Sequence, residues 1–127
     1  MRLILISLFC LSFFSCTKPK STEIVYSLRM MTKVDGVAAG NVNQLIPLTV
    51  SWFYTSGSCD ILDKFEETRQ GNIISIKAYG YYSGSICTAD AGITTKIYNF
   101  ISTTTGTFEL RFINPDNSFI TYTITIN

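Results

Sequence analysis

Histidine is missing from all 127 residues. Its absence excludes Ser-His-Asp and Cys-His nucleophile–base pairs, imidazole-ligated zinc and an imidazole pH switch. Charge is scarce: 15% of residues are Asp, Glu, Lys or Arg, ten basic against nine acidic, with no long run of either sign. That leaves neither the basic face that grips nucleic acid nor an acidic solvating tail. No Gly-rich phosphate loop is present, so no nucleophile–base or phosphate-cradling set assembles from the sequence, and a non-enzymatic role is expected. Leucine is thin beyond residue 15, with five Leu against 14 Ile, 16 Thr and five Val in residues 16–127. β-Branched side chains suit a pleated, half-buried surface better than a helix. What is present is apolar: 46% of the chain is hydrophobic, enough for a core in a length typical of one domain.

The chain begins Met1-Arg2, continues with about a dozen mostly apolar residues, and reaches Ser15-Cys16. A stretch this short fits a signal-peptide core, because a membrane span needs about 20 apolar residues. Thr17-Lys18-Pro19-Lys20-Ser21-Thr22 follows at once and reads as a polar tether. The run Phe13-Phe14-Ser15-Cys16 resembles the lipobox of bacterial lipoproteins, with the match carried by Ser15 and Cys16 and looser at Phe13 and Phe14. The resemblance implies that residues 1–15 are a lipoprotein signal peptide and that Cys16 is acylated and becomes the first residue of the mature chain. Residues 16–22 are then the lipidated cysteine and tether, and 23–127 the folded domain. Cys10 is the poorer modification site, since bulky Phe9 precedes it. Two or more acyl chains anchor stably to a membrane. Thr17 stands where Gram-negative lipoproteins held at the inner membrane tend to carry Asp, so the resemblance implies the outer membrane, on its periplasmic or surface face.

The rest reads as strands. Ile24, Tyr26, Leu28 and Met30 share one face of a first strand; Ile46, Leu48, Val50, Trp52 and Tyr54 share one face of a second. Ile74, Ile76, Ala78 and Gly80 mark a third, and Phe108, Leu110 and Phe112 a fourth. Ile120, Tyr122, Ile124 and Ile126 alternate with Thr121, Thr123 and Thr125, a row that reads as a strand's solvent face. Gly40-Asn41, Ser56-Gly57-Ser58, Gly71-Asn72, Ser83-Gly84-Ser85, Thr105-Gly106 and the hairpin Asn114-Pro115-Asp116-Asn117-Ser118 supply the turns. The pattern predicts an all-β fold, a small antiparallel β-sandwich of about seven strands, immunoglobulin-like in its layers, with a compact barrel as the alternative. Trp52 precedes both later cysteines, so the antibody core pattern is absent. From Asp60 to Gln70 the spacing of Ile61, Leu62 and Phe65 predicts a short helix capped by Asp60.

With Cys16 acylated and Cys10 removed, Cys59 and Cys87 remain, and in an exported chain they are expected to form a disulfide. Asp60, Asp63, Glu66 and Glu67 are the densest set of oxygen ligands, but the spacing is not an EF-hand and Lys64 and Arg69 intervene. Solvated charges paired locally are the plainer reading, and no metal or other cofactor is expected. Tyr79, Tyr81 and Tyr82 form an aromatic group, read either as core and rim or as a ligand surface. The sequence therefore predicts a monomeric, membrane-anchored, non-enzymatic binding or accessory module of the cell envelope. The competing readings are an inhibitor of an extracellular protease or lysozyme, presenting Ser83-Gly84-Ser85 as a rigid loop, and a glycan-binding module using the tyrosines.

Overall fold

Period-2 alternation of β-branched and aromatic side chains with polar ones builds nine strands in the described part of the chain, residues 16–17 and 23–127 of a computed structural model. They are β1 (Ser27–Leu28), β2 (Met31–Gly36), β3 (Ala39–Gly40), β4 (Ile46–Tyr54), β5 (Asp60–Gln70), β6 (Ile73–Tyr82), β7 (Gly92–Phe100), β8 (Gly106–Ile113) and β9 (Phe119–Ile126). A single 3-10 turn, Gly57–Cys59, precedes β5. The signal-peptide reading of residues 1–15 and the tether reading of 18–22 lie outside the described residues. No helix among those residues is long and apolar enough to cross a membrane.

The strands form two sheets. The smaller has the order β2-β4-β7. In the larger, β6 pairs with β5 along one edge; along its other edge lie β8, against Ile73 to Lys77, and β1, against Tyr79 and Gly80. β8 then pairs with β9, and β9 with β3. Ile46, Leu48, Val50 and Trp52 from one sheet meet Ile74, Ile76, Leu110, Phe112 and Ile124 from the other in a single core. Edge-to-face aromatic pairs cross between the layers, Tyr98 with Phe112 at 5.6 Å and Tyr98 with Phe65 at 5.4 Å between ring centres. The domain is thus an all-β, two-layer structure.

Three expectations are corrected. The smaller sheet is antiparallel, but the larger is mixed: β6 pairs with β8 in parallel, and so does β3 with β9. The connection from β6 to β8 passes through β7 in the other sheet, which lets β8 return in the direction of β6. Alternation records which face is buried, not which way a strand runs. The segment Asp60–Gln70 is not helical but is the longest strand, β5. It carries a bulge: Leu62 pairs with Gly80 and Lys64 with Tyr79, leaving Asp63 without an opposite number. The extra residue advances the pleat by one, so Leu62 and Phe65 both turn inward at a spacing of three and imitate helical periodicity. The expected first strand over Ile24 to Met30 is reduced to β1; the chain then leaves that sheet and enters β2 in the other.

The crossing is held by side chains. Asn114, in the turn between β8 and β9, accepts a hydrogen bond from Met31 N at 2.8 Å and donates to Met31 O at 3.1 Å. Arg29 is buried and lies across Gly80, where a Cβ would fall 2.9 Å from Arg29 Nε and 2.3 Å from the Ile61 carbonyl oxygen. Only glycine gives the guanidinium room to pass.

Candidate functional site

The features of chemical interest gather at the end of the sandwich where residues 23–27 arrive, β4 and β6 finish, and β5 and β7 begin. Cys59, at the close of the 3-10 turn, is bonded to Cys87 in the loop after β6, with Cα atoms 5.4 Å apart. The expected disulfide is therefore present. Its loop, residues 83–91, has no regular secondary structure and is exposed throughout. It is tied down further: Ser83 N donates to Cys59 O at 2.8 Å, Gly57 N to Asp90 O at 3.0 Å, and Ser58 N to the Thr88 hydroxyl at 3.0 Å. The Thr88 hydroxyl is also the main reason that the Asp90 carboxyl sits below the usual carboxylate range. Cys16, the predicted acylation site, is exposed and outside any disulfide.

Beneath this loop lies a buried ion pair. Arg29 Nε donates to Asp60 Oδ1 at 2.7 Å, while Asp60 Oδ2 accepts from Thr55 N at 3.0 Å. Arg29 Nη1 donates to Ser27 Oγ, and the guanidinium carbon stands 4.7 Å above the centre of the Tyr82 ring. Arg29 Nη2 has no hydrogen-bond acceptor among the described residues. The aromatic face above the guanidinium offsets part of that deficit. A polar hollow of about 350 Å³ beside the pair is lined by Tyr54, Gly57, Asp60, Asp90, Ile93 and Thr94.

The predicted tyrosine group is divided. Tyr79 and Tyr81 are half-buried on the outer face of β6, opposite Ile74, Ile76 and Ala78. Tyr82 is exposed on the other side of the strand, over Arg29, and its hydroxyl lies 2.8 Å from Thr55 Oγ1. Tyr26 takes its place in the cluster, meeting Tyr81 edge to face at 5.7 Å. Lys64 Nζ stands 4.7 Å from the Tyr26 ring centre and 5.9 Å from that of Tyr79. Desolvation within the cluster, and then the hydrogen bond with Asp63, raises the Tyr26 phenol above its ordinary pKa. Sequence reasoning missed Tyr26 and Lys64 as members, because the bulge and the β1–β6 pairing bring them together.

The acidic set is dispersed. Asp60 points inward to Arg29, and Asp63 occupies the bulge. Glu66 pairs with Lys64 at 3.2 Å, and Glu67 pairs with Arg69 at 3.2 Å and accepts from the Tyr98 hydroxyl. No group of three or more His, Cys, Asp or Glu side chains that would hold a metal ion occurs among the described residues. The local pairs are real, but they sit on a strand whose faces carry the carboxylates apart. Comparison with known protein families, curated proteins and solved structures finds no match.

Proposed function

We propose that this chain is an exported lipoprotein, acylated on Cys16 and held at the cell envelope by that anchor, where the β domain serves as a non-enzymatic binding or accessory module. The observation that carries the reading is the junction Phe13-Phe14-Ser15-Cys16, with a short apolar run before it and a polar tether after it. The Cys59–Cys87 bridge supports it, because such bonds persist in oxidising compartments outside the cytosol. Thr17 directs the anchor to the outer membrane. In this reading the domain is a monomer, immunoglobulin-like in its layering.

Cys16→Ser tests the anchor. The expected result is a protein that moves from the membrane fraction to the soluble fraction and no longer incorporates labelled fatty acid. A variant that stays in the membrane fraction overturns the reading.

A second reading is favoured by one observation, the Tyr26, Tyr79 and Tyr81 cluster with Lys64 above it. Aromatic faces and polar tips on an open sheet suit the apolar and hydroxylated faces of a sugar ring. On a glycan array the wild-type protein then binds a defined set, and Tyr79→Ala together with Tyr81→Ala abolishes the signal. Inhibition of a protease or lysozyme through residues 83–91 is the competing role, and a hydrolase panel separates it from both.

A further inference from the structure

At the disulfide end, residues 23–27 lie beside the end of β6 and form an open groove of about 650 Å³ whose lining includes Ile24, Val25, Tyr81, Tyr82 and Gly84. Its apolar side chains stand far out: Val25 is 78% exposed, Tyr82 55% and Ile24 54%, and Ile86, in the same loop as Gly84, is 91% exposed. They come from two segments that have no sequence relation, the arriving chain and the loop after β6. The Cys59–Cys87 bridge fixes that loop in place. Exposed apolar side chains gathered at one end of a small domain mark something that covers them.

The same end is tied to Cys16. Only residues 17–22 separate the cysteine from the groove. The seven Cα–Cα steps from Cys16 to Glu23 reach at most about 25 Å. An acyl group on Cys16 therefore keeps this end at the bilayer surface. The opposite end, where β9 finishes, stands farther out by the length of nine-residue β4, about 30 Å. Lys18 and Lys20 in the intervening segment attract anionic headgroups. Tyr82, with an exposed ring and a polar tip, is the type of side chain that settles at headgroup level.

We infer that the disulfide end is a membrane-docking surface, with Ile24, Val25, Tyr82 and Ile86 resting in the headgroup–acyl boundary of the bilayer that holds the lipid of Cys16. Docking fixes the orientation of the domain: the far end points away from the membrane, and the loop after β6 is turned from soluble partners. This inference rests on the lipid anchor proposed above and adds the face that meets the lipid.

The test uses the acylated protein purified from membranes and reconstituted into phosphatidylethanolamine–phosphatidylglycerol vesicles with brominated acyl chains. Val25→Trp and Ile86→Trp report on the proposed face, and Leu45→Trp, at an exposed position of the far end, is the control. Trp52, the one native tryptophan, is in the core and gives a constant background. The brominated lipid is expected to remove about half of the added emission from Val25→Trp and Ile86→Trp, as for side chains buried in the interface, and to leave Leu45→Trp unquenched. Equal quenching of the three proteins, or none in any of them while they float with the vesicles, overturns the docking and leaves the anchor standing. Unquenched residues of this face that crosslink to an envelope protein overturn it in favour of a protein occupant. A Cys16→Ser protein that floats as the wild type does overturns the anchor itself, so the two failures are distinct.

Discussion

Asn114 sits in the turn between β8 and β9, yet its amide completes the hydrogen bonding of Met31 in the other sheet, 83 residues away. Met31 is buried, so no water replaces a lost partner. Asn114→Ala is expected to lower unfolding stability by about 2–4 kcal/mol, since it orphans a buried N–H and a buried C=O together. Asn114→Asp keeps the acceptor but sets a carboxylate against the Met31 carbonyl. Burial and the facing carbonyl raise that carboxyl's pKa above its ordinary value, so the deficit is expected to shrink as pH falls toward about 4, where the carboxyl takes up a proton and donates again, and to level off below it. Urea titrations at pH 7 and pH 3.5 check both; a pH-independent deficit for Asn114→Asp excludes this account. The sequence shows Asn114 only as turn chemistry, because nothing local to it names Met31. The disulfide was legible for the opposite reason. With the proposed export and acylation accounting for two cysteines, parity leaves one pairing, and no geometry is required. Tyr26 was illegible as a partner of Tyr81, since their contact depends on a two-residue pairing between β1 and β6.

Strands with unbroken alternation were legible: β4, β6, β8 and β9 bury the faces that their sequences predict. Those with an irregularity were not. β2 shifts register between Met31 and Lys33, so Met31 and Val34 both turn inward and the period of two is lost. β5 does the same at Asp63, and its later residues Glu67 and Arg69 point toward the core side although they are charged. They are tolerated there because β5 and β7 are facing edges. Glu67 accepts from Tyr98, Arg69 Nη2 donates to Ile101 O at 2.8 Å, and Lys96 Nζ donates to Leu62 O at 2.8 Å. Such inward charges also discourage pairing with another chain's edge. Deletion makes the bulge testable. Removing Asp63 restores simple alternation and keeps Leu62 and Phe65 inward, so a cooperatively folded protein is expected. Removing Glu66 instead turns Glu67 and Arg69 outward and loses their bonds to Tyr98 and to the Ile101 carbonyl, at a cost of about 2 kcal/mol. Thermal melts of the two deletions compare them directly; equal losses refute the assignment of the bulge to Asp63.

At the scale of the molecule, the layers were legible and their wiring was not. Hydrophobic faces count the sheets, but the parallel pairs β6–β8 and β3–β9 join strands far apart in sequence. The disulfide ties the turn before β5 to the loop after β6, across a span of 28 positions. Constraint of the unfolded chain by a loop of that size is worth about 3–4 kcal/mol. Reduction is therefore expected to lower the urea midpoint markedly, and Cys59→Ser with Cys87→Ser to reproduce the loss. A reduced protein with an unchanged midpoint would remove the bridge from the stability account. The two sheets are also joined by a proton. Tyr98 belongs to the smaller sheet and donates to Glu67 of the larger; burial first, and then this bond, raises its phenol pKa above the ordinary value. The folded state thus holds a proton that the unfolded chain gives up near pH 10. The resulting stability is fully present below pH 10 and is lost as pH rises beyond it, by at most about 1.4 kcal/mol per unit. Tyr98→Phe carries no such proton. The stability gap between wild type and Tyr98→Phe is expected to stay level from pH 7 to 9 and to narrow from pH 10 to 11. A gap that stays level through pH 11 would mean that the phenol titrates alike in both states, and that the contact between the sheets does not depend on its proton.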